Sequence, residues 1–183
     1  MGRTYDAIDD ELRAFLEAQP VFFVATAPLA GDGLLNLSPK GLDSFRVLGP
    51  RTVGYVDLTG SGVETIAHLR ENGRIVLCFC AFAGPPKIVR LHGRGTAVEP
   101  GDAAFAELAA RFPAFPSTRA VVRVDVTRIS DSCGYGVPRL ALDGPRSQLL
   151  DWAERKGPDG LADYRAHNNA TSVDGLPGLR SAR

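Results

Sequence analysis

Cysteine, long apolar runs and an excess of one charge are all missing from this sequence. It has three cysteines, Cys78, Cys80 and Cys133, an odd set with no second Cys or His pair at metal-ligand spacing. Neither a disulfide framework nor a metal site is therefore expected. Lysine plus arginine and aspartate plus glutamate number 21 each. This balance removes the electrostatic case for a nucleic acid or an anionic membrane as the main partner.

The apolar content is spread along the chain in short runs. None approaches the roughly 20 residues that a membrane-spanning helix needs. The N-terminal stretch MGRTYDAIDDELRAF is acidic rather than a signal peptide, so we expect a cytoplasmic protein with no membrane partner. At 183 residues and 44% apolar content, the chain is long enough for one packed core and short for two.

Short apolar and β-branched runs separated by turn residues predict an antiparallel sheet with flanking helices. Asp9 or Asp10 is placed to cap a first helix that ends at Ala18. Gly93 and Gly95 predict a bulge or bend of the kind that curves a sheet into a barrel. About six or seven strands are expected, with a helix inserted after the fourth, which fits an antiparallel barrel better than a parallel α/β sheet. Further helices are predicted at residues 101–111, 147–156 and 161–168.

The most informative stretch is residues 56–82, in which a strand, a Thr-Gly-Ser-Gly turn, a short helix and a second strand follow one another. The first backbone N–H groups of a helix lack intrahelical partners and lie at the positive end of its dipole. A turn of small residues before such a helix, here residues 59–62, can therefore hold a phosphate or carboxylate. Thr59, Ser61 and Thr65 would add hydroxyl donors. The spacing matches neither a P-loop nor a dinucleotide-binding turn, so the ligand stays open.

Polar side chains alternate with apolar ones shortly before this stretch. Asn36, Ser38 and Lys40 are separated by Leu37 and Pro39, so an extended strand would place the three polar groups on one face. Taken alone, the later turn is more simply a helix cap, and the lysine a solvated side chain. The coincidence of the two features favours a binding site.

Four short motifs stand in an order and spacing that are fairly specific. They are NLSPKG at residues 36–41, residues 55–62 with the following ETIA, NGRI at residues 72–75, and residues 90–95. Through them the chain resembles, over about residues 10–130, the FMN-binding split-barrel family typified by pyridoxamine 5'-phosphate oxidase. The resemblance implies a mainly β fold with flanking helices, an antiparallel split β-barrel of the FMN-binding type at residues 1–130. Residues 131–183 would form a C-terminal loop, helices and a tail that pack on the barrel or on a partner subunit.

In that family two chains form a homodimer, and FMN lies in a cleft at their interface. Matched by position, Ser38 and Lys40 would lie along the ribityl-phosphate or the isoalloxazine edge, with Pro39 shaping the backbone. Hydroxyls of the turn and of the first helical turn would face the phosphate, and Cys133 and Tyr135 would reach the flavin from the loop SDSCGYGVP. The resemblance thus implies cofactor contacts from Ser38, Pro39, Lys40, Thr59, Ser61, Gly62, Thr65 and Tyr135.

The chain departs from the vitamin-salvage oxidases of that family at two points. Glu64 and Thr65 stand where those oxidases have a basic pair, and a carboxylate beside a phosphate is repulsive. Either Glu64 points away to solvent and Lys40 or Arg74 supplies the positive charge, or the site prefers another ligand. The C-terminal Arg-x-His substrate motif of those oxidases is also missing, so pyridoxamine phosphate is not the expected substrate.

The resemblance implies an FMN-dependent oxidoreductase that transfers a hydride or electrons between a reduced nicotinamide and a small organic acceptor. The flavin carries the chemistry in such enzymes, so no catalytic side chain is expected. His68 and His92 have no orienting partner at fixed spacing and are expected to be hydrogen-bonded structural residues. The alternatives are a non-catalytic flavin- or haem-binding module and a deazaflavin-dependent reductase.

Overall fold

The computed structural model describes residues 2–182, which form one predominantly β structure. The strands are β1 Thr4–Tyr5, β2 Phe22–Thr26, β3 Asn36–Lys40, β4 Phe45–Gly49, β5 Thr52–Leu58, β6 Arg74–Cys80, β7 Ile88–Val98 and β8 Thr118–Ser132. The helices are α1 Asp10–Glu17, α2 Glu64–Asn72, α3 Phe105–Ala109 and α4 Gln148–Asn168, and a short 3-10 helix covers Arg180–Ala182.

All strand pairings in the sheet are antiparallel. The strand order is β3-β2-β6-β7-β8-β5-β4, and the two-residue β1 pairs with β8. The two end strands, β3 and β4, are consecutive in the chain but are not hydrogen-bonded neighbours. Leu42 and Asp43, in the turn between them, both have left-handed backbones, with φ of 60° and 55°. The sheet is therefore open at this seam, and the predicted mainly β fold with flanking helices is confirmed.

The core fills the concave side of the sheet. On β6, Ile75, Leu77 and Phe79 alternate with half-buried outward residues, which is the pattern of a strand with one buried face. The Phe79 ring lies 5.3 Å from the ring of Phe22 and 4.8 Å from that of Phe45, measured between centroids. These contacts join both sides of the seam through the interior, because Phe22 belongs to β2 and Phe45 to β4.

The bend predicted on β7 is confirmed. The register between β7 and β8 shifts between His92 and Gly93, as it does at a β-bulge. A Cβ atom at Gly93 would overlap the carbonyl oxygen of Asp125, and one at Gly95 would lie 2.8 Å from Leu69 Cδ2. Only glycine allows β7 to lie this close to β8 and α2 while the sheet curves.

Two helix boundaries follow the expected chemistry. Asp9 caps α1 by accepting the Leu12 N–H at 2.8 Å, and Gly73 ends α2 with a left-handed φ of 70°. The helix expected at residues 101–111 is shorter, because Asp102 turns back to accept the Glu99 N–H at 2.8 Å and the chain forms turns up to α3.

The C-terminal part packs on the same chain. Gly157, with φ 65° and ψ 177°, breaks α4 into two helical segments near the predicted gap. Leu179 is completely buried in a cluster with Val63, Ile66 and Ala120, so the tail covers the start of α2. The predicted units end at residues 1 and 183, which lie outside the described range. Within residues 2–182 no helix combines the length and apolar character that crossing a bilayer requires.

Candidate functional site

A polar cleft of about 240 Å³ opens between β3 and the start of α2. The alternation predicted for β3 is seen in the structure, since residues 36, 38 and 40 are partly buried while residues 37 and 39 are exposed. Five of the residues predicted to bind the cofactor line this cleft: Ser38, Pro39, Lys40, Gly62 and Thr65. Two distant segments of the chain thus meet here, as the sequence pattern requires of a site.

An ion-paired carboxylate lies beneath the cleft. Lys40 Nζ is 3.0 Å from Oδ1 of Asp57, and Arg119 Nε is 2.8 Å from Oδ2 of the same carboxylate. Burial of Asp57, which is 0% exposed, acts to raise its pKa, but the charges of Arg119 and Lys40 outweigh burial and lower the pKa to about 2. The carboxylate therefore stays ionised between two cations, and the group of three carries one net positive charge.

Arg119 is the lining residue that the sequence analysis missed. It is only 5% exposed, and besides its ion pair it donates from Nη1 to the carbonyl oxygen of Gly60 at 3.3 Å. The available signal was an arginine inside an apolar strand run, TRAVV, because buried charges are seldom found without a partner. Asp57, at the end of another apolar run, was the matching partner.

A row of neutral polar groups lines the opposite wall. The amide Nδ2 of Asn36 donates to Thr65 Oγ1 at 2.9 Å and to Thr26 Oγ1 at 3.1 Å. Its Oδ1 accepts from Ser38 Oγ at 3.0 Å. Ser38 therefore presents lone pairs to the cleft, whereas Thr65 accepts from the amide and keeps its own proton for a ligand.

The same network ends at a buried histidine. His68, on α2, is 0% exposed, and its Nδ1 lies 2.9 Å from Thr26 Oγ1. Its Nε2 has no hydrogen-bond partner among the described residues. Burial lowers the pKa of His68, and the nearby carboxylates Asp174, Glu64 and Glu71 oppose that shift. The expected hydrogen-bonded histidine is therefore found, in its neutral form at neutral pH.

The turn at residues 59–62 is held from behind by the C-terminal part of the chain. Thr59 is completely buried, donates its hydroxyl proton to the carbonyl of Ser117 at 2.9 Å, and accepts from Arg165 Nε at 2.8 Å. Asn169 Nδ2 donates to the Gly60 carbonyl at 2.9 Å. The Thr59 hydroxyl is thus committed on the side of the turn that faces α4, away from the cleft.

Ser61 and Tyr135 are also not brought into the cleft. Ser61 is exposed at the tip of the turn, and Tyr135 is 82% exposed in the loop after β8. Arg165 and Asn169 were not anticipated either, because nothing in their spacing links α4 to a turn about 100 residues earlier. Only the folded chain shows that α4 supports the turn.

Glu64 lines the cleft instead of pointing away from it. Its carboxylate folds back over Gly62, where a Cβ atom would overlap Oε2. Oε1 accepts from the backbone N–H of Val173 at 3.4 Å. Arg74, by contrast, donates from Nη2 to the carbonyl of Pro28 at 2.9 Å and is not among the lining residues.

The outward face of the sheet beside the cleft is apolar and uncovered by any described element. Cross-strand pairing aligns Leu37, Ala25, Val76 and His92 in one row over β3, β2, β6 and β7. A groove of about 440 Å³ runs along this row. Leu35 and Leu37 are 81% and 68% exposed, which is unusual for neighbouring leucines. Among residues 2–182 no three His, Cys, Asp or Glu side chains converge as a metal site would require.

Sequence comparison places this geometry in a wider context. The family described as pyridoxamine 5'-phosphate oxidase matches residues 8–133 of the chain. The pyridoxamine 5'-phosphate oxidase family protein ustO of Aspergillus flavus is 41% identical over 197 aligned residues, which cover 97% of this chain and 78% of that protein.

Solved structures share the fold. HupZ from Group A Streptococcus is 25% identical, with a TM-score of 0.52 over 68% of this chain and 99% of that one. An FAD-binding protein from Mesorhizobium loti is 17% identical, with a TM-score of 0.51 over 72% of this chain and 96% of that one. These likenesses confirm the predicted antiparallel split β-barrel.

Proposed function

Because the chain belongs to the pyridoxamine 5'-phosphate oxidase family, we propose that it is a flavoprotein that holds FMN at the cleft between β3 and α2 and acts as an oxidoreductase. The observation that carries the proposal is the convergence of Ser38, Lys40 and Thr65 with Arg119 and the first turn of α2. No other part of the described chain joins cations, hydroxyls and a helix N-terminus in one cleft.

The donor set fits the phosphate end of a flavin nucleotide. Lys40 and Arg119 carry one positive charge beyond that of Asp57, Thr65 has a hydroxyl proton to donate, and the first N–H groups of α2 lack intrahelical partners. Gly62 leaves the backbone of the turn uncovered toward the cleft. FMN, when bound, supplies the hydride and electron chemistry. The side chains of this chain bind it, orient it and adjust the charge around it.

A second copy of the chain completes the site in this proposal. The cleft of about 240 Å³ is smaller than the roughly 300–1,000 Å³ usual for a ligand pocket, so one chain supplies only part of the binding surface. The adjoining apolar face, with exposed Leu35 and Leu37, is the surface that a homodimer would bury. Light scattering of the purified protein should give twice the mass of one chain, and Leu37→Glu should shift it toward the monomer.

The proposed reaction uses a reduced nicotinamide as the electron donor and a small organic molecule as the acceptor. Protein purified under mild conditions should be yellow, and acid denaturation should release FMN identified by its mass. Anaerobic addition of NADH or NADPH should bleach the colour, and an acceptor should restore it. Yellow protein that no nicotinamide bleaches would be a flavin carrier, a released deazaflavin would mark a deazaflavin reductase, and a Soret band in place of flavin absorption would mark a haem protein.

A further inference from the structure

Glu64 occupies an unexpected place for a negative charge. It is the first residue of α2, where the helix dipole attracts anions, and its carboxylate folds over Gly62 toward the cleft. The backbone N–H of Val173 contacts Oε1 from the C-terminal side. The carboxylate thus lies beside the turn that would receive a ligand phosphate, and the tail of the same chain helps to keep it there.

The charges at the cleft cancel once Glu64 is included. Lys40 and Arg119 are positive, while Asp57, which contacts both, and Glu64 are negative. Phosphate monoesters approach a charge of −2 near neutral pH because their second pKa is about 6. A group of that charge would enter a site with no net positive charge and would lie near a carboxylate, where like charges repel.

We propose that Glu64 is a specificity-determining residue that penalises the second negative charge of a phosphate monoester in this cleft. The inference rests on the proposed flavin-binding function and adds to it how the flavin is held. The ring and the ribityl chain provide most of the affinity, and the phosphate provides little. FMN is therefore bound only slightly more tightly than riboflavin, which has the same ring and ribityl chain but no phosphate.

The test compares these two flavins on the full chain by fluorescence titration. In the wild-type protein, FMN should bind no more than about tenfold more tightly than riboflavin, a difference of about 1.4 kcal/mol. Glu64→Gln keeps an oxygen acceptor for the Val173 N–H and removes only the charge. It should raise the affinity for FMN about tenfold and change that for riboflavin less than twofold. Glu64→Ala should show the same selective gain if the glutamine variant folds poorly.

Glu154→Gln is the matched control, because Glu154 is exposed on α4 and the substitution makes the same charge change away from the cleft. It should leave both affinities unchanged. An unchanged or lower ratio of FMN to riboflavin affinity in both Glu64 variants would overturn this inference while leaving flavin binding intact. A wild-type protein and variants that bind neither flavin would overturn the proposed function and this inference together.

Discussion

Lys40 Nζ lies 3.0 Å from Oδ1 of Asp57, and this ion pair crosses the open seam of the barrel. Lys40 ends β3, one end strand of the sheet, whereas Asp57 is on β5, which lies next to the opposite end strand β4. No backbone ladder joins β3 to β4 or β5. A side-chain contact therefore closes the barrel at the cleft, so binding there and stability of the seam are coupled.

Replacing Lys40 tests that coupling. Lys40→Met keeps much of the side-chain volume but removes one of the two cations that contact the buried Asp57 carboxylate. We expect a loss of about 1–3 kcal/mol in the free energy of unfolding and about tenfold weaker FMN binding, measured by urea denaturation and fluorescence titration. Lys156→Met, at an exposed position on α4, should change neither quantity appreciably. Unchanged FMN affinity in the Lys40 variant would contradict the placement of the phosphate.

Acid should destabilise the protein through Asp57. Its pKa is lowered from 3.8 to about 2 in the folded chain, so the folded state binds fewer protons than the unfolded state between those values. The stabilisation is complete above about pH 4 and is lost as pH falls through about 2, a contribution of about 2 kcal/mol. Urea denaturation of wild type and Asp57→Asn across this range should show a shallower pH dependence in the variant.

The carbon-13 chemical shift of the Asp57 carboxyl group in the wild-type protein gives the same information if Asp57→Asn does not fold. It should titrate near pH 2. A midpoint at or above the ordinary value of 3.8 would mean that Lys40 and Arg119 do not offset the cost of burial.

Arg165 should influence the cleft without lining it. Its guanidinium donates to Thr59 Oγ1 at 2.8 Å and to the Thr118 carbonyl at 3.1 Å, so it fixes the turn before α2 from behind. Arg165→Ala leaves partly buried acceptors unsatisfied and should cost about 1–3 kcal/mol of stability, together with several-fold weaker flavin binding. Arg155→Ala removes the same charge from an exposed position on the same helix and serves as the control. Equal melting temperatures for the two variants would count against this role of Arg165.

His68 should add a second pH dependence, closer to neutrality. Burial lowers its pKa below the usual 6.5 against the opposing carboxylates, so the unfolded chain takes up a proton before the folded one does. Its stabilising contribution is present above pH 6.5 and is lost as pH falls further. Thermal unfolding from about pH 7.5 to about 5.5 should therefore lower the melting temperature of wild type more than that of His68→Asn. Parallel curves would show that His68 has similar proton affinity in both states.

Local signals in the sequence were sufficient to predict the architecture. The Asp9 cap, the helix end at Gly73 and the bulge at Gly93 each follow from backbone chemistry that needs no knowledge of distant residues. Alternation on β3 likewise predicted that Ser38 and Lys40 share a face, which the cleft contains. These features depend on neighbours within a few residues, and periodicity reports such neighbours well.

The interior of the site could not be predicted in the same way. Thr59 was expected to face a phosphate as a turn hydroxyl, but its direction depends on Ser117 and Arg165, which approach from remote segments. The fold-back of Glu64 likewise depends on Val173. The partner of a buried polar group is decided by tertiary packing, and a single sequence offers no periodic pattern that identifies it.

The support of the turn by α4 has a consequence for how the protein is made. Arg165 and Asn169 emerge from the ribosome roughly 100 residues after the turn that they hold, and synthesis adds about 5–20 residues each second. The nascent barrel therefore waits several seconds with this turn unsupported. Cofactor capture should come late in biogenesis, once α4 has docked, so that flavin supply in the cell acts on nearly finished chains and not on early translation intermediates.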